Sequence, residues 1–168
     1  SWTVVTGLPE GEGDNTFVAT DVDHLFDCPV HMGPGAVHQF EAAGRSARLC
    51  LWGEFEKGEA ASLATLLGDL KSIMETHVSR FQDEAPFQEY TFILMLSPGG
   101  YGGLEHKNSS ANLNTPFAFE TEKSYLALLE LLSHEFFHVW NGKRITPSAF
   151  VPFRYDQEQY TKCLWFME

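Results

Sequence analysis

The most informative stretch of the sequence is SHEFFHVWN, residues 133–141, in which two histidines flank a glutamate. His134 and His138 are four residues apart, so on an α-helix their imidazoles lie one turn apart on the same face. Two imidazoles in this arrangement can bind one zinc ion without bending the backbone. Glu135 follows the first histidine directly, where its carboxylate can act as a base towards a water molecule. The H-E-x-x-H pattern therefore predicts a zinc site on a helix.

The residues around this pattern are mostly apolar, which bears on whether the histidines bind a metal. An apolar helix that merely contains two histidines is the alternative. The flanking apolar positions indicate that the helix is buried nearly all round. They are Leu126, Leu129, Leu132, Phe136, Phe137, Val139 and Trp140. Burying two histidines and a glutamate among them is costly unless a partner satisfies their polar atoms. A metal ion would do so, and we therefore favour the metal site.

A catalytic zinc ion usually has three protein ligands and one open position, so a third ligand must come from elsewhere in the chain. Two glutamates that follow the H-E-x-x-H segment, Glu158 and Glu168, are the candidates. Glu158 lies beside a predicted helix cap, and we expect it to be exposed. Three cysteines lie far apart in the sequence, which argues against a disulfide framework and a thiolate zinc site, and we expect them to be small buried apolar residues. They are Cys28, Cys50 and Cys163.

The hydrophobic pattern predicts the elements that must hold these residues. Helices are expected at about residues 60–81, 124–141 and 156–168. Strands are expected at residues 47–55, 90–96 and 113–120. The run YTFILML, residues 90–96, is continuously apolar and is typical of a strand buried on both faces. Asp156 and Gln159 resemble a capping box at the start of the third helix. Pro116 favours an edge position for the strand at 113–120, because proline has no ladder donor.

Composition and charge bound the class of protein. The chain has 168 residues, 43% of them hydrophobic, which suits one globular domain with a core. Its net charge of −12 repels phosphate backbones and anionic lipids, which argues against binding to nucleic acid or to such membranes. No apolar run is long enough to span a bilayer. Because the chain begins at Ser1 rather than Met, we expect it to be a piece of a longer protein.

The segment HEFFHVWN, followed by GKRITP, PFRYDQEQYT and LWFME, resembles the M61 family of metallopeptidases, the glycyl aminopeptidases. Residues 17–33 (FVATDVDHLFDCPVHMG) and 101–109 (YGGLEHKNS) are also similar to this family, so the resemblance covers most of the chain. It implies a gluzincin catalytic domain with zinc bound by His134, His138 and Glu168. The W-x-x-E pattern that ends at the last of these is also similar to the third-ligand motif of M1 aminopeptidases.

The same resemblance implies an activity. Glu135 would be the catalytic base of a zinc aminopeptidase that prefers Gly or Ala at the substrate's N-terminus, and its partner would be a peptide with a free N-terminus. The oxyanion-stabilising residue of such enzymes comes after the third ligand, and a PDZ-like domain follows further on in the family. A non-catalytic peptide-binding module of gluzincin-like fold and a zinc endopeptidase remain alternatives.

The block GGLEH, residues 102–106, is similar to the G-x-M-E-N motif of M1 aminopeptidases, with Leu for Met and His for Asn. The resemblance implies that the strand carrying Gly102 and Gly103 pairs with the substrate backbone and that Glu105 binds its free α-amino group. Glycines let a substrate strand approach closely, and a carboxylate near the zinc would fix the chain end. A glycine-rich loop with a solvated glutamate is the alternative. An endopeptidase would not need Glu105.

The expected fold is α+β, with a mixed, mostly antiparallel sheet packed against the zinc helix, as in the upper lobe of thermolysin-like enzymes. Residues 1–16 are expected to be the end of a preceding β-rich domain or a linker. Residues 17–168 are expected to form the N-terminal part of the catalytic domain.

Overall fold

The computed structural model describes residues 2–53, 61–81 and 84–167. The strands are β1 (Thr3–Thr6), β2 (Val30–Gly33), β3 (Ala36–Ala42), β4 (Arg45–Trp52), β5 (Glu89–Leu96), β6 (Gly102–Glu105) and β7 (Ser109–Asn114). The α-helices are α1 (Val22–Phe26), α2 (Leu63–Phe81), α3 (Glu122–Phe137) and α4 (Leu164–Met167), with 3₁₀ turns at Pro116–Phe119 and Ser148–Phe150. Among these residues no helix is long and apolar enough to cross a membrane.

Five strands form the main sheet in the order β3-β4-β5-β7-β6, and β1 and β2 form a separate antiparallel pair. Both outer pairings of the main sheet, β3 with β4 and β6 with β7, are antiparallel. Both inner pairings, β4 with β5 and β5 with β7, are parallel. The expectation of a mixed sheet is confirmed, but its centre is parallel because α2 carries the chain across from β4 to β5.

β5 lies at the centre of the sheet and is buried on both faces, as the run YTFILML predicts. On one face Tyr90 and Phe92 pack with Phe136 of α3, their ring centroids 4.8 and 6.0 Å from it. On the other face Ile93 packs with Val5 of β1. Each fully buried side chain of this size contributes roughly 1.5–3 kcal/mol by leaving water, so the core holds α3 firmly against the sheet.

The helix that carries the H-E-x-x-H pattern has a well-defined start. Thr121 caps α3: its hydroxyl accepts a hydrogen bond from the Ser124 N–H (3.1 Å), and the Ser124 hydroxyl accepts one from the Thr121 N–H (3.2 Å). The helix ends at Phe137 with His138 as its C-cap, earlier than the expected end at Asn141. Tight turns then follow, aided by Gly142, whose φ of 105° suits glycine.

The predicted third helix is wrong for most of its length. Of the described residues between 156 and 167, Leu164–Met167 alone form an α-helix, and residue 168 lies outside the described part of the chain. Gln159 does not complete a capping box, because its side-chain oxygen accepts from the Arg154 N–H (2.7 Å) and its amide donates to the carbonyls of Ala149 and Pro152. Its side chain thus holds a folded loop in place of the first helical turn.

Two further expectations need correction. The strand expected at 113–120 ends at Asn114, and Pro116 begins a 3₁₀ turn, a position that its fixed φ and missing N–H allow. Cys163 is exposed, whereas Cys28 and Cys50 are buried as expected. The strand expected at 47–55 runs from Arg45 to Trp52, and residues 54–55 lie outside the described part of the chain.

Candidate functional site

His134 and His138 face each other at the C-terminal end of α3. Their Nε2 atoms are 3.0 Å apart, and the rings are nearly perpendicular at 86°. His138 Nδ1 lies 2.8 Å from the carbonyl oxygen of Asn141. A carbonyl only accepts, so Nδ1 carries the proton and donates it, and Nε2 keeps its lone pair pointed at His134. The turn after α3 therefore fixes the tautomer of His138.

The donor set fits a divalent metal ion. Two imidazole nitrogens bound tetrahedrally to one zinc ion at 2.0–2.1 Å lie about 3.3 Å apart, close to the separation of the two Nε2 atoms. A second contact to a carbonyl is the usual way in which a metal-binding histidine is oriented. His138 is buried, whereas His134 is exposed and borders an open groove between α2 and α3. One side of the pair is thus open to solvent.

Two carboxylates lie close to His138. Glu105, Glu135 and His138 each offer a ligand atom, and these atoms all lie within 4.8 Å of one another. Glu135 is 4% exposed and Glu105 is partly exposed. Glu135 lies in α3, His138 caps the C-terminal end of that helix, and Glu105 lies in β6, 30 positions before Glu135 in the chain. The arrangement places two acidic groups beside the imidazole of His138, which in turn faces that of His134.

Gly103 has a structural role that the sequence did not reveal. A Cβ atom added to this residue would overlap the carboxylate and the Cγ of Glu135. The missing side chain therefore lets β6 lie directly against the carboxylate. Gly102 differs, because a Cβ there would meet nothing within 4 Å, although its φ of 150° itself favours glycine.

β6 is the outermost strand of the main sheet in the described part of the chain, with β7 as its one strand neighbour there. Glu105 of this strand belongs to the cluster of acidic and imidazole groups, and Leu104 beside it is exposed. An exposed edge can accept an extended peptide as an added strand. The site thus combines a polar cluster with a place where a peptide backbone can pair.

Glu168, the third ligand implied by the family resemblance, lies outside the described residues. The residues just before it are described, and Asn141 holds them. Its side-chain amide donates to the carbonyl of Phe166 (2.9 Å) and weakly to that of Met167 (3.4 Å). Asn141 thus contacts His138 through its backbone and the 166–167 segment through its side chain.

Asp27 is a further residue near the site that sequence reasoning missed. Its Oδ1 accepts from Lys143 Nζ at 3.1 Å, and its Oδ2 accepts from the Lys107 N–H at 2.8 Å. Burial alone would raise the pKa of the Asp27 carboxyl, but the neighbouring His106 imidazole, the Lys107 N–H and the Lys143 ammonium outweigh burial and lower it to about 2. No local motif marks this residue, because its partners lie 80 and 116 positions further along the chain.

Solved structures show which class of fold this is. An M1 zinc metallopeptidase from Deinococcus radiodurans is similar with a TM-score of 0.54 and 15% identity, over 87% of this chain and 33% of that chain. A variant of a two-domain M1 zinc metallopeptidase bound to L-arginine is similar with a TM-score of 0.52 and 14% identity, over 86% and 32%. The chain therefore has the mixed α+β fold found in M1 metallopeptidases.

Two further comparisons identify a family within this fold class. Residues 127–168 match the M61 glycyl aminopeptidases. The crystal structure of an aminopeptidase N family protein from Idiomarina loihiensis is 38% identical, with a TM-score of 0.90, over 99% of this chain. No curated protein sequence matches. The resemblance seen in the sequence is confirmed, and the chain belongs to the M61 family of gluzincin-type peptidases. It spans 29% of the length of the Idiomarina protein.

Proposed function

We propose that the protein is a zinc-dependent aminopeptidase that hydrolyses the N-terminal peptide bond of its substrates. The observation that carries the proposal is the convergence of Glu105, Glu135 and His138 within 4.8 Å, with Glu105 on β6, the outermost strand of the described sheet. A metal-binding pair, a base and an amine-binding carboxylate are the groups that such a reaction requires. Family membership supports the same reaction class.

The proposed ligands of the zinc ion are His134, His138 and Glu168. The facing Nε2 atoms of the two histidines and the fixed tautomer of His138 support the first two. The third rests on the family resemblance and on the hydrogen bonds that hold residues 166 and 167 against Asn141. A zinc ion bound by these groups would polarise the scissile carbonyl and lower the pKa of a water molecule.

Glu135 is the proposed catalytic base. Its side chain is buried among Gly103 and the groups of the cluster, so a proton taken up by it stays away from bulk water. The carboxylate would take the proton of the attacking water and then deliver it to the nitrogen of the leaving peptide. Bond cleavage then yields the N-terminal amino acid and a peptide that is one residue shorter.

Glu105 and β6 are proposed to bind and position the N-terminus of the substrate. An N-terminal residue that pairs with the edge at Gly102 and Gly103 places its α-ammonium near the Glu105 carboxylate. The Glu105 carboxylate lies within 4.8 Å of the His138 ligand atom, so a bound α-ammonium would be close to the proposed metal site. The finer preference for Gly or Ala rests on the family that residues 127–168 match, the glycyl aminopeptidases.

The proposal extends to the organisation of the chain. We propose that residues 17–168 form the N-terminal part of the gluzincin catalytic domain and that residues 1–16 end a preceding domain or linker. β1, within the latter segment, pairs with β2 and contributes Val5 to the core beside the main sheet.

The test uses the full-length protein loaded with zinc. We expect hydrolysis of alanine p-nitroanilide by the wild type, and we expect Glu135→Gln to retain zinc while turnover falls at least 10³-fold. A zinc-loaded variant with near-normal turnover would refute the assigned base. Comparing free-amine with N-acetylated peptides separates the candidates: equal cleavage indicates an endopeptidase, and binding without cleavage indicates a non-catalytic module.

A further inference from the structure

The Asp27 carboxylate joins three separate parts of the chain. It follows α1, and its two oxygens accept hydrogen bonds from the Lys143 ammonium and the Lys107 N–H. Its side chain is only 14% exposed, and that of Lys143 is 22% exposed. His106 is also buried there, with Nδ1 3.8 Å from the carboxylate. A charge this deeply placed needs its partners, because losing one leaves a buried ion uncompensated.

Both partners connect to the proposed active site. The backbone N–H of Lys143 donates to the carbonyl of His138 at 3.2 Å, so this lysine is tied to the metal-binding turn as well as to Asp27. On the other side, Lys107 is two residues beyond Glu105. It lies in the tight β6–β7 hairpin that the bond from the His106 N–H to the Ser109 carbonyl (2.9 Å) closes. The carboxylate thus bridges the end of α3 and the hairpin that carries Glu105.

This bridge spans a distance on which the proposed reaction depends. An aminopeptidase selects free chain ends through the separation of its amine-binding group from its metal, and a displacement of about 1 Å can lower the rate on the order of 100-fold. β6 is a short strand at the sheet edge with one strand neighbour among the described residues, so its ladder alone constrains it weakly. Asp27 supplies a second constraint at its C-terminal end.

We propose that Asp27 is a positioning residue that sets the spacing between the Glu105 carboxylate and the metal ligand His138, and thereby determines how strongly the enzyme prefers free N-termini. The inference rests on the proposed function. Asp27 contacts neither substrate nor metal in this role. It acts through Lys107 on one side and Lys143 on the other.

The experiment compares zinc-loaded full-length variants on a free-amine alanyl peptide and on its N-acetylated form. Asp27→Asn keeps the shape but removes the charge that holds Lys143. We expect the ratio of kcat/KM for free over acetylated substrate to fall roughly tenfold, mainly through a higher KM for the free amine. Lys143→Met should reproduce the fall, and the double variant should not add to it, since both break one bridge.

Asp23→Asn is the matched control. Asp23 precedes Asp27 by one helical turn and is exposed, and its carboxylate accepts a hydrogen bond from the Tyr155 hydroxyl, whereas its bond to the Asp27 N–H uses the backbone carbonyl, which the substitution leaves in place. We expect its substrate ratio to match the wild type. A lower melting temperature for Asp27→Asn with an unchanged ratio means a purely structural role and overturns the inference. An equal fall in Asp23→Asn also overturns it.

Glu105→Gln separates this inference from the proposed function. If Glu105→Gln abolishes the preference for free amines and Asp27→Asn leaves it intact, the positioning role fails while the aminopeptidase assignment stands. If Glu105→Gln leaves the preference unchanged, the amine anchor itself is wrong and both proposals fall. A fall in both variants, larger for Glu105→Gln, is the result that the inference predicts.

Discussion

Gly103 has no space for a side chain, because the Glu135 carboxylate occupies the position that a Cβ atom would take. Gly103→Ala therefore forces either the carboxylate or β6 to move by about 1 Å before ordinary van der Waals distances are restored. Both are parts of the proposed site. Overpacking of this kind costs about 1–3 kcal/mol of stability, and a catalytic base displaced by that distance loses on the order of 100-fold in rate.

The assay measures kcat and KM for alanine p-nitroanilide with the zinc-loaded full-length Gly103→Ala variant. We expect kcat to fall roughly 100-fold with zinc content unchanged, because the proposed ligands His134 and His138 lie at the C-terminal end of α3 and not on β6. Gly68→Ala is the control. A Cβ at this exposed position of α2 meets nothing within 4 Å, so kcat should not change and the helix should become slightly more stable. A kcat for Gly103→Ala within twofold of wild type would refute the reasoning.

Three further predictions concern the surroundings of the site. Asn141→Asp removes the donor to the Phe166 carbonyl but keeps the backbone carbonyl that orients His138, so zinc affinity measured by competition with a chelator should fall 10- to 100-fold. The pKa of Asp27 is lowered to about 2, below its ordinary 3.8, by His106, Lys107 and Lys143 against burial. Ionised Asp27 therefore contributes about 2 kcal/mol to the free energy of unfolding above pH 4, and this contribution is lost as the pH falls towards 2. Urea unfolding measured at a series of pH values should show the stability of Asp27→Asn converging with that of the wild type near pH 2. Thr121→Ala removes the cap of α3 and should lower the free energy of unfolding by about 1 kcal/mol.

Each of these predictions has a result that contradicts it. Unchanged zinc affinity in Asn141→Asp would mean that the side chain does not support the third-ligand segment. An Asp27→Asn deficit that persists undiminished at pH 2 would mean that ionisation is not its source. A stability of Thr121→Ala equal to that of the wild type would mean that the capping hydrogen bonds add nothing in solution.

The sequence predicted the elements whose pattern is local. His134 and His138 are one helical turn apart whatever the tertiary structure, and β5 is recognisable because its run is apolar without interruption. The order β4-α2-β5 also indicates the parallel centre of the sheet, since a helix between two strands is the usual crossover of a parallel pair. The patterns of β4, α2 and β5 predict the three elements, but a mostly antiparallel sheet was expected where β4 and β5 pair in parallel.

Features that depend on tertiary contacts could not be predicted from the sequence. Gln159 matches the pattern of a capping box, but its hydrogen bonds to Ala149, Pro152 and Arg154 stabilise a loop instead. The family resemblance predicts that Gly103 pairs with the substrate, and only the packing of β6 on α3 shows that it also leaves space for the Glu135 side chain. Asp27 carries no pattern at all, because its partners are brought to it by folding.

The central claim is that the paired imidazoles of α3 hold one zinc ion next to a catalytic carboxylate. Elemental analysis of the full-length protein, purified without chelator, tests it most directly. We predict one zinc per chain in the wild type and in Glu135→Gln, and less than a tenth of that in the His134→Ala, His138→Ala double variant. A wild type that contains no zinc and takes none up, or a double variant that keeps it, would contradict the account.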